Sequence, residues 1–243
     1  MIARPVTYAE RLVRTARWAI LGEQGASRCA YANQAPNLGI DLRFGAATSN
    51  AVVKTDAWRT GRIGQSEMQG GVSSKYVALP AGVFSGMTKG TVMIYCALRT
   101  ANRRILTTQN TAAVSGPYLT IHFLTGLPTT LTFATHNGVG AESIIEAVSV
   151  FAVNVWHLIG CQWGPQGKKL YLDGAISAED STKVAVPSGT LGSPAIGVYD
   201  LAGGGQAYGS VSFGFVGLWA DQLGDGAHQA IAQWCRGKRS AWA

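Results

Sequence analysis

Thirteen acidic residues are the first place to look for chemistry in this 243-residue chain, and their spacing does not suit it. Cleaving a glycosidic bond takes a general acid and a second carboxylate about 5–9 Å apart. On a β-strand that means acids at i and i+2 or i+4, all on one face. Asp41, Glu67 and Asp173 stand alone, Glu142 and Glu146 flank an apolar run, and Glu179-Asp180 falls in an expected loop. No catalytic residue is assigned. The four histidines fit structural positions: His122 alternates with Ile121 and Phe123, His157 follows Trp156 in a strand pattern, and His136 and His228 have equally plain roles. Cys–His or Ser–His pairing stays open at this level, although no G-x-S-x-G nucleophile elbow occurs.

Metals and phosphates fare no better. Cys29, Cys96, Cys161 and Cys235 lack C-x-x-C spacing, so buried free thiols are expected rather than a zinc site. Calcium needs several oxygen ligands in close order. Asp200, beside Gly203–Gly205, is the best single ligand and stands without an Asp/Asn-rich loop. The same glycines neither precede Lys-Ser/Thr nor open a helix, which excludes a phosphate cradle. No metal and no cofactor are expected.

What remains is recognition. An indole can stack on the apolar face of a sugar, and Trp58 and Trp163, beside a loop and a turn, are the candidates for glycan binding. Trp156 and Trp219 fall in core-strand patterns and pack the interior. The net charge is +7, with Arg4, Arg11, Arg14 and Arg17 close to the N-terminus. Such a basic segment suits an anionic partner. Docking to an acidic protein surface is the main reading for these arginines; contact with nucleic acid phosphates is a lesser one.

The elements that must position these residues are mostly strands. Gly is abundant, at 31 residues, and charged residues are only 14% of the chain, as in a strand-and-turn protein. Thr7-Tyr-Ala-Glu10 reads as a capping box opening a helix to about Ile20, with Arg11, Arg14 and Arg17 as its basic face. Residues 29–60 read as a connector with one alternating patch at Leu38–Phe44. From Gly61 the pattern is β, through Thr91–Arg99, Arg104–Thr108, Tyr118–Leu124, Thr130–Ala134 and Ile144–Val153. The run Trp156–Gly174 then gives two strands around the turn Gly164-Pro-Gln-Gly167. Gly209–Ala220 is a closing strand, and Asp221–Trp234 switches to helical spacing.

Three pieces carry a resemblance: Gly61-Arg-Ile-Gly64 followed by Tyr76-Val-Ala-Leu-Pro80, the hairpin opening on Trp156-His157 and closing on Leu170-Tyr-Leu-Asp-Gly174, and the closing strand with its helix. Over about Leu38–Trp234 the chain resembles the laminin G-like, or concanavalin A-like lectin/glucanase, jelly rolls. The resemblance implies an all-β antiparallel jelly-roll sandwich with a short C-terminal helix. It divides the chain into a basic helical arm (1–28), the connector (29–60) and the jelly roll (61–243). The Glu-x-Asp-x-x-Glu signature of glucanases on this fold is missing, so no enzyme is expected. Such jelly rolls occur in bacteriophage structural proteins, as capsid decorations or tail-associated adhesins. The expectation is therefore a non-enzymatic virion structural protein, with other virion proteins and copies of itself as partners and a host-surface glycan as a further one. A stand-alone carbohydrate-binding module is the alternative, and a glycoside hydrolase the least favoured. The first thirty residues carry five arginines and lack an uninterrupted apolar core, so no secretory signal is expected and assembly would take place in a host cytoplasm. No run reaches the ~18–20 apolar residues of a membrane span, so no membrane partner is expected.

Overall fold

The computed structural model describes residues 6–21, 52–54, 66–68, 76–78, 83–84, 86–98, 104–108, 117–124, 127–138, 142–148, 152, 155–184, 195–196, 198–199, 207–208 and 211–242. The first half of the chain supplies α1 (Tyr8–Thr15), β1 (Trp18–Leu21), β2 (Val52–Lys54), β3 (Ser66–Met68), β4 (Tyr76–Ala78), β5 (Gly90–Leu98), β6 (Arg104–Thr107) and β7 (Pro117–Leu124). Then come β8 (Leu127–Asn137), β9 (Ser143–Val148), β10 (Trp156–Trp163), β11 (Lys168–Leu172) and β12 (Ala175–Asp180). The chain ends with β13 (Ala195–Ile196), β14 (Val198–Tyr199), β15 (Ala207–Tyr208), β16 (Val211–Trp219) and α2 (Asp225–Trp242).

These strands form the expected antiparallel β-sandwich. One seven-stranded sheet runs β1-β16-β5-β10-β11-β12, with β3 also paired to β16. The other runs β2-β4-β13-β6-β7-β8-β9, and β14 and β15 form a small separate ribbon. Alternation along the strands builds the core between the sheets. In β8 Leu131 and Phe133 face inward, and in β10 Ile159, Cys161 and Trp163 do the same; all are buried. The alternate residues of β10 and its neighbours face the other way. Met93, Tyr95, Trp156, Leu158, Phe215 and Trp219 form a second buried cluster under the helices, with Val13 of α1, Ala16 at its C-cap, and Ile231 and Cys235 from α2. The molecule thus has three layers: helices, sheet, sheet.

The N-terminal segment differs from expectation. The capping box is present, with Glu10 N–H donating to Thr7 Oγ1 at 3.2 Å and Thr7 N–H to Glu10 Oε2 at 2.8 Å. The helix ends at Thr15, and Trp18–Leu21 turns into a strand paired along Phe215–Leu218. Arg17 therefore lies beyond the helix, and its N–H donates to the Leu218 carbonyl at 2.7 Å. Trp219 Nε1 donates to the Leu12 carbonyl at 2.9 Å. Residues 8–21 are a working part of the fold and not a free arm.

The C-terminal helix also differs. It starts at Asp225, whose carboxylate sits in the first turn, and it runs to Trp242, past the expected end at Trp234. Glu179-Asp180 belongs to the exposed edge strand β12 and not to a loop. Val52–Lys54, inside the expected connector, pairs with β4 as the edge of the second sheet.

Candidate functional site

Two turns close the β10–β11–β12 unit at its opposite ends. Between β10 and β11, Gly167 N–H donates to the Gly164 carbonyl at 3.0 Å, closing a four-residue turn. Between β11 and β12 only Asp173 and Gly174 intervene, at φ +55° and +90°. Positive φ at both positions is the requirement of a type I′ hairpin, which Asp-Gly meets. Gly174 has a second reason to lack a side chain, since a Cβ there would lie 2.8 Å from the Gln229 Cα of α2.

At the Gly164–Gly167 end lies a pocket of about 530 Å³ lined by Gln166, Lys168, Lys169, Glu179, Asp180 and Ser181. Lys169 and Glu179 are direct cross-strand neighbours, and Lys169 Nζ stands 3.3 Å from Glu179 Oε2 and 3.9 Å from Asp225 Oδ1. Asp180 Oδ1 accepts from Thr182 N–H at 2.8 Å and Thr182 Oγ1 at 2.6 Å, and these bonds hold its carboxyl below the usual range. An amide, amines, carboxylates and a hydroxyl in one concave site can bond a polyhydroxylated ligand from several sides. Asp180 is poorly suited to proton donation, because a general acid needs a raised pKa and its own is lowered.

A second polar cluster ties α2 to the sheet. His228 is fully buried, its ring stacked on Tyr171 with centroids 3.6 Å apart and planes 7° from parallel. Its Nε2 lies 2.7 Å from Gln162 Nε2, and Gln162 also donates to the Leu223 carbonyl. Tyr171 Oη donates to Asp225 Oδ1 at 2.7 Å. Burial, with the Asp225 hydrogen bond and charge, pushes the phenol pKa up. Burial also drives the His228 imidazole down to about 3, so it is neutral and unfit to shuttle protons near pH 7. This cluster is a structural fastener.

A third cluster answers the open question of Cys–His pairing. Cys96 stands directly opposite His157 in the β5–β10 ladder. His157 Nδ1 is 2.7 Å from Asp173 Oδ2, Leu158 N–H donates to Asp173 Oδ1 at 3.0 Å, and Arg236 approaches the same oxygen at 3.6 Å. Burial raises the Asp173 pKa, but the His157 bond, the Leu158 N–H and the charges of His157 and Arg236 outweigh it and hold the carboxyl low. The thiol is the weak member of this trio. Burial, and then the nearby Asp173 charge, pushes Cys96 up to about 12. A nucleophilic cysteine needs the thiolate, and Cys96 is fully buried as a thiol.

The residues singled out in the sequence do not gather at one site. Trp163 is 0% exposed, with its ring centroid 6.4 Å from Phe84 and 6.3 Å from Phe133. It is a core residue and cannot stack on a sugar. Trp58, Arg4 and Asp200 lie outside the described residues, as does the side chain of Arg14, whose backbone belongs to α1. Arg11 is exposed, 6.0 Å over the Tyr8 ring, and it reaches the Val6 carbonyl at 3.4 Å. Among the described residues no group of three or more His, Cys, Asp and Glu side chains comes together to hold a metal, and no helix is long and apolar enough to cross a membrane.

No family model matches the sequence, and no curated protein matches it. The fold is shared with solved binding domains of botulinum neurotoxins. The binding domain of botulinum neurotoxin DC in complex with rat synaptotagmin II is 9% identical, with a TM-score of 0.63 over 91% of this chain and 52% of that one. The same domain in complex with SialylT is 11% identical, with a TM-score of 0.63 over 90% and 51%. The serotype D binding domain is 9% identical, with a TM-score of 0.64 over 93% and 53%. This chain spans about half the length of each. At such identities the likeness is one of fold, and these neighbours are binding domains.

Proposed function

We propose that this chain is a non-enzymatic recognition module that binds a polyhydroxylated ligand, such as a glycan, in the pocket at the Gly164–Gly167 end of the hairpin. The observation that carries the reading is the pocket itself, where Gln166, Lys169, Glu179 and Ser181 offer donors and acceptors from several sides. The fold neighbours add support: one is complexed with SialylT and another with rat synaptotagmin II. Glycan arrays probed with the full chain test it. Binding should appear for a limited set of glycans and weaken on Lys169→Ala or Glu179→Ala; a flat array would count against the reading.

The setting we propose is a virion. The module would be a capsid decoration or a tail-associated protein, assembled in a host cytoplasm, with other virion proteins and copies of itself as neighbours. This rests on the resemblance to jelly rolls of bacteriophage structural proteins and on the net charge of +7, which suits docking to an acidic surface. Exposed Arg11 is the described residue best placed for such docking. An antibody raised against the chain should label purified particles from the encoding source. Particles free of the chain would leave the stand-alone lectin-like module as the reading.

A further inference from the structure

The end of β8 brings together three consecutive residues whose chemistry the binding reading leaves unused. Asn137 is the last residue of the strand and is exposed, and Gly138 follows it at φ +86°. Of the seven asparagines in the chain, only Asn137 precedes a glycine. His136 is buried, its ring stacked on Tyr118 with centroids 5.2 Å apart and planes 10° from parallel. That stack fixes the plane of the imidazole, and Nδ1 accepts the Gly138 backbone N–H at 3.0 Å. A backbone N–H can only donate, so Nδ1 carries a lone pair and the ring proton belongs to Nε2.

The reacting atoms are held close by the chain itself. A bond between the Gly138 nitrogen and Asn137 Cγ closes a five-membered ring, so no distant group has to be brought in. An amide nitrogen attacks a carbonyl only once its proton is drawn away, and His136 Nδ1 lies at the distance a general base needs. Gly138 has no side chain to crowd the ring, and its positive φ is one that glycine adopts without strain. Pro117, opposite Asn137 in β7, has no N–H with which to hold the Asn137 carbonyl in the ladder. That eases the rotation that ring closure requires.

We infer that Asn137 is a self-modification site, converted through a succinimide to aspartate and isoaspartate with His136 as the base. The Gly138 nitrogen gives its proton to His136 Nδ1 and bonds to Asn137 Cγ. The bond from Cγ to the side-chain nitrogen breaks, and that nitrogen regains a proton through solvent and leaves as ammonia. Water then opens the ring at one of its two carbonyls, with nothing oxidised or reduced. Either product adds a negative charge at the exposed end of β8, and isoaspartate also lengthens the main chain leading to β9. This inference is independent of the pocket and its ligand.

The test incubates the full wild-type chain at neutral pH in ¹⁸O-labelled water. Peptide mass spectrometry that separates aspartate from isoaspartate then follows residue 137. Both isomers should appear there with the heavy oxygen, ahead of modification at the other six asparagines. His136→Phe keeps an aromatic ring against Tyr118 and removes the acceptor. Modification should then slow on the order of a hundredfold, the lower end of what a positioned base contributes. Unfolding the wild-type chain in urea parts the base from the N–H and should slow the reaction too, whereas an Asn-Gly pair limited only by chain stiffness would speed up. Absence of isoaspartate at residue 137 of the wild type overturns the inference. So does a rate in urea equal to or above that of the folded chain, and so does an unchanged rate in folded His136→Phe.

Discussion

Gly160 leaves room for the His228 side chain of α2, and Gly160→Ala should loosen the helix layer measurably. A Cβ at this position would lie 2.4 Å from His228 Nδ1, 2.6 Å from His228 Cε1 and 3.2 Å from Tyr171 Cβ. The imidazole has nowhere to go, because its face is stacked on Tyr171 and Nε2 is engaged by Gln162. The helix must shift instead. Overpacking of this kind costs about 1–3 kcal/mol, and losing the Gln162 contact adds about 0.5–1.5 kcal/mol. The expected destabilisation is therefore about 2–4 kcal/mol, a large share of the roughly 5–15 kcal/mol that a folded domain commands. Urea unfolding followed by circular dichroism reads it as a lower midpoint at unchanged slope. A double-mutant cycle isolates the cause, since in a His228→Ala background the added methyl meets only Tyr171 Cβ at 3.2 Å. The coupling should then be favourable by about 2 kcal/mol. A single variant within about 0.5 kcal/mol of wild type, or additivity in the double variant, would refute this account of the fastener.

Other expectations follow from the same structure. Trp163→Ala should cost about 3–5 kcal/mol in denaturant unfolding, as deletion of a fully buried aromatic does, whereas an exposed sugar-stacking Trp would leave stability untouched. Removing residues 1–21 should destabilise the sandwich by about 3–6 kcal/mol. It exposes the cluster under α1, worth about 1.5–3 kcal/mol for Val13 alone, and strands Trp219 Nε1 at about 1–3 kcal/mol; a truncated chain as stable as the full one would show the segment to be dispensable. His228 sets a pH dependence. Its folded pKa of about 3 lies below the usual value near 6.5, so the unfolded chain binds the extra proton between them. Stability should fall as pH drops below about 6.5 and go on falling toward 3, with no contribution from this group above 6.5. His228→Phe, measured by urea midpoints from pH 7 to 4, should lose about one proton's worth of that slope.

The hairpin was the most legible part of the chain because its signals are local. Alternation marks β10 and β11, and Asp173-Gly174 is the residue pair a type I′ turn demands. Trp163 was misplaced at the turn as a glycan-binding candidate because of the adjacent Gly164, although it continues the inward series Ile159, Cys161, Trp163. The end of α1 was not. Ala16–Ile20 suits a helix on propensity, and it is the edge of β16 that pulls Trp18–Leu21 into a strand, a tertiary effect that propensity cannot register. The pocket escaped for a similar reason. Gln166 and Lys169 belong to one hairpin and Glu179 and Ser181 to the next, so only the β11–β12 register brings them together. The charged residues of β12 read as a loop because an exposed edge strand buries little and shows no apolar alternation.

The recognition reading stands or falls on where a ligand sits. Saturation-transfer and chemical-shift mapping of the full chain, with a glycan that binds on the array, tests it most directly. The account predicts shifts centred on Gln166, Lys169, Glu179 and Ser181, abolished by Lys169→Ala at unchanged urea midpoint. Shifts centred elsewhere on the sandwich, or binding indifferent to Lys169, would contradict it.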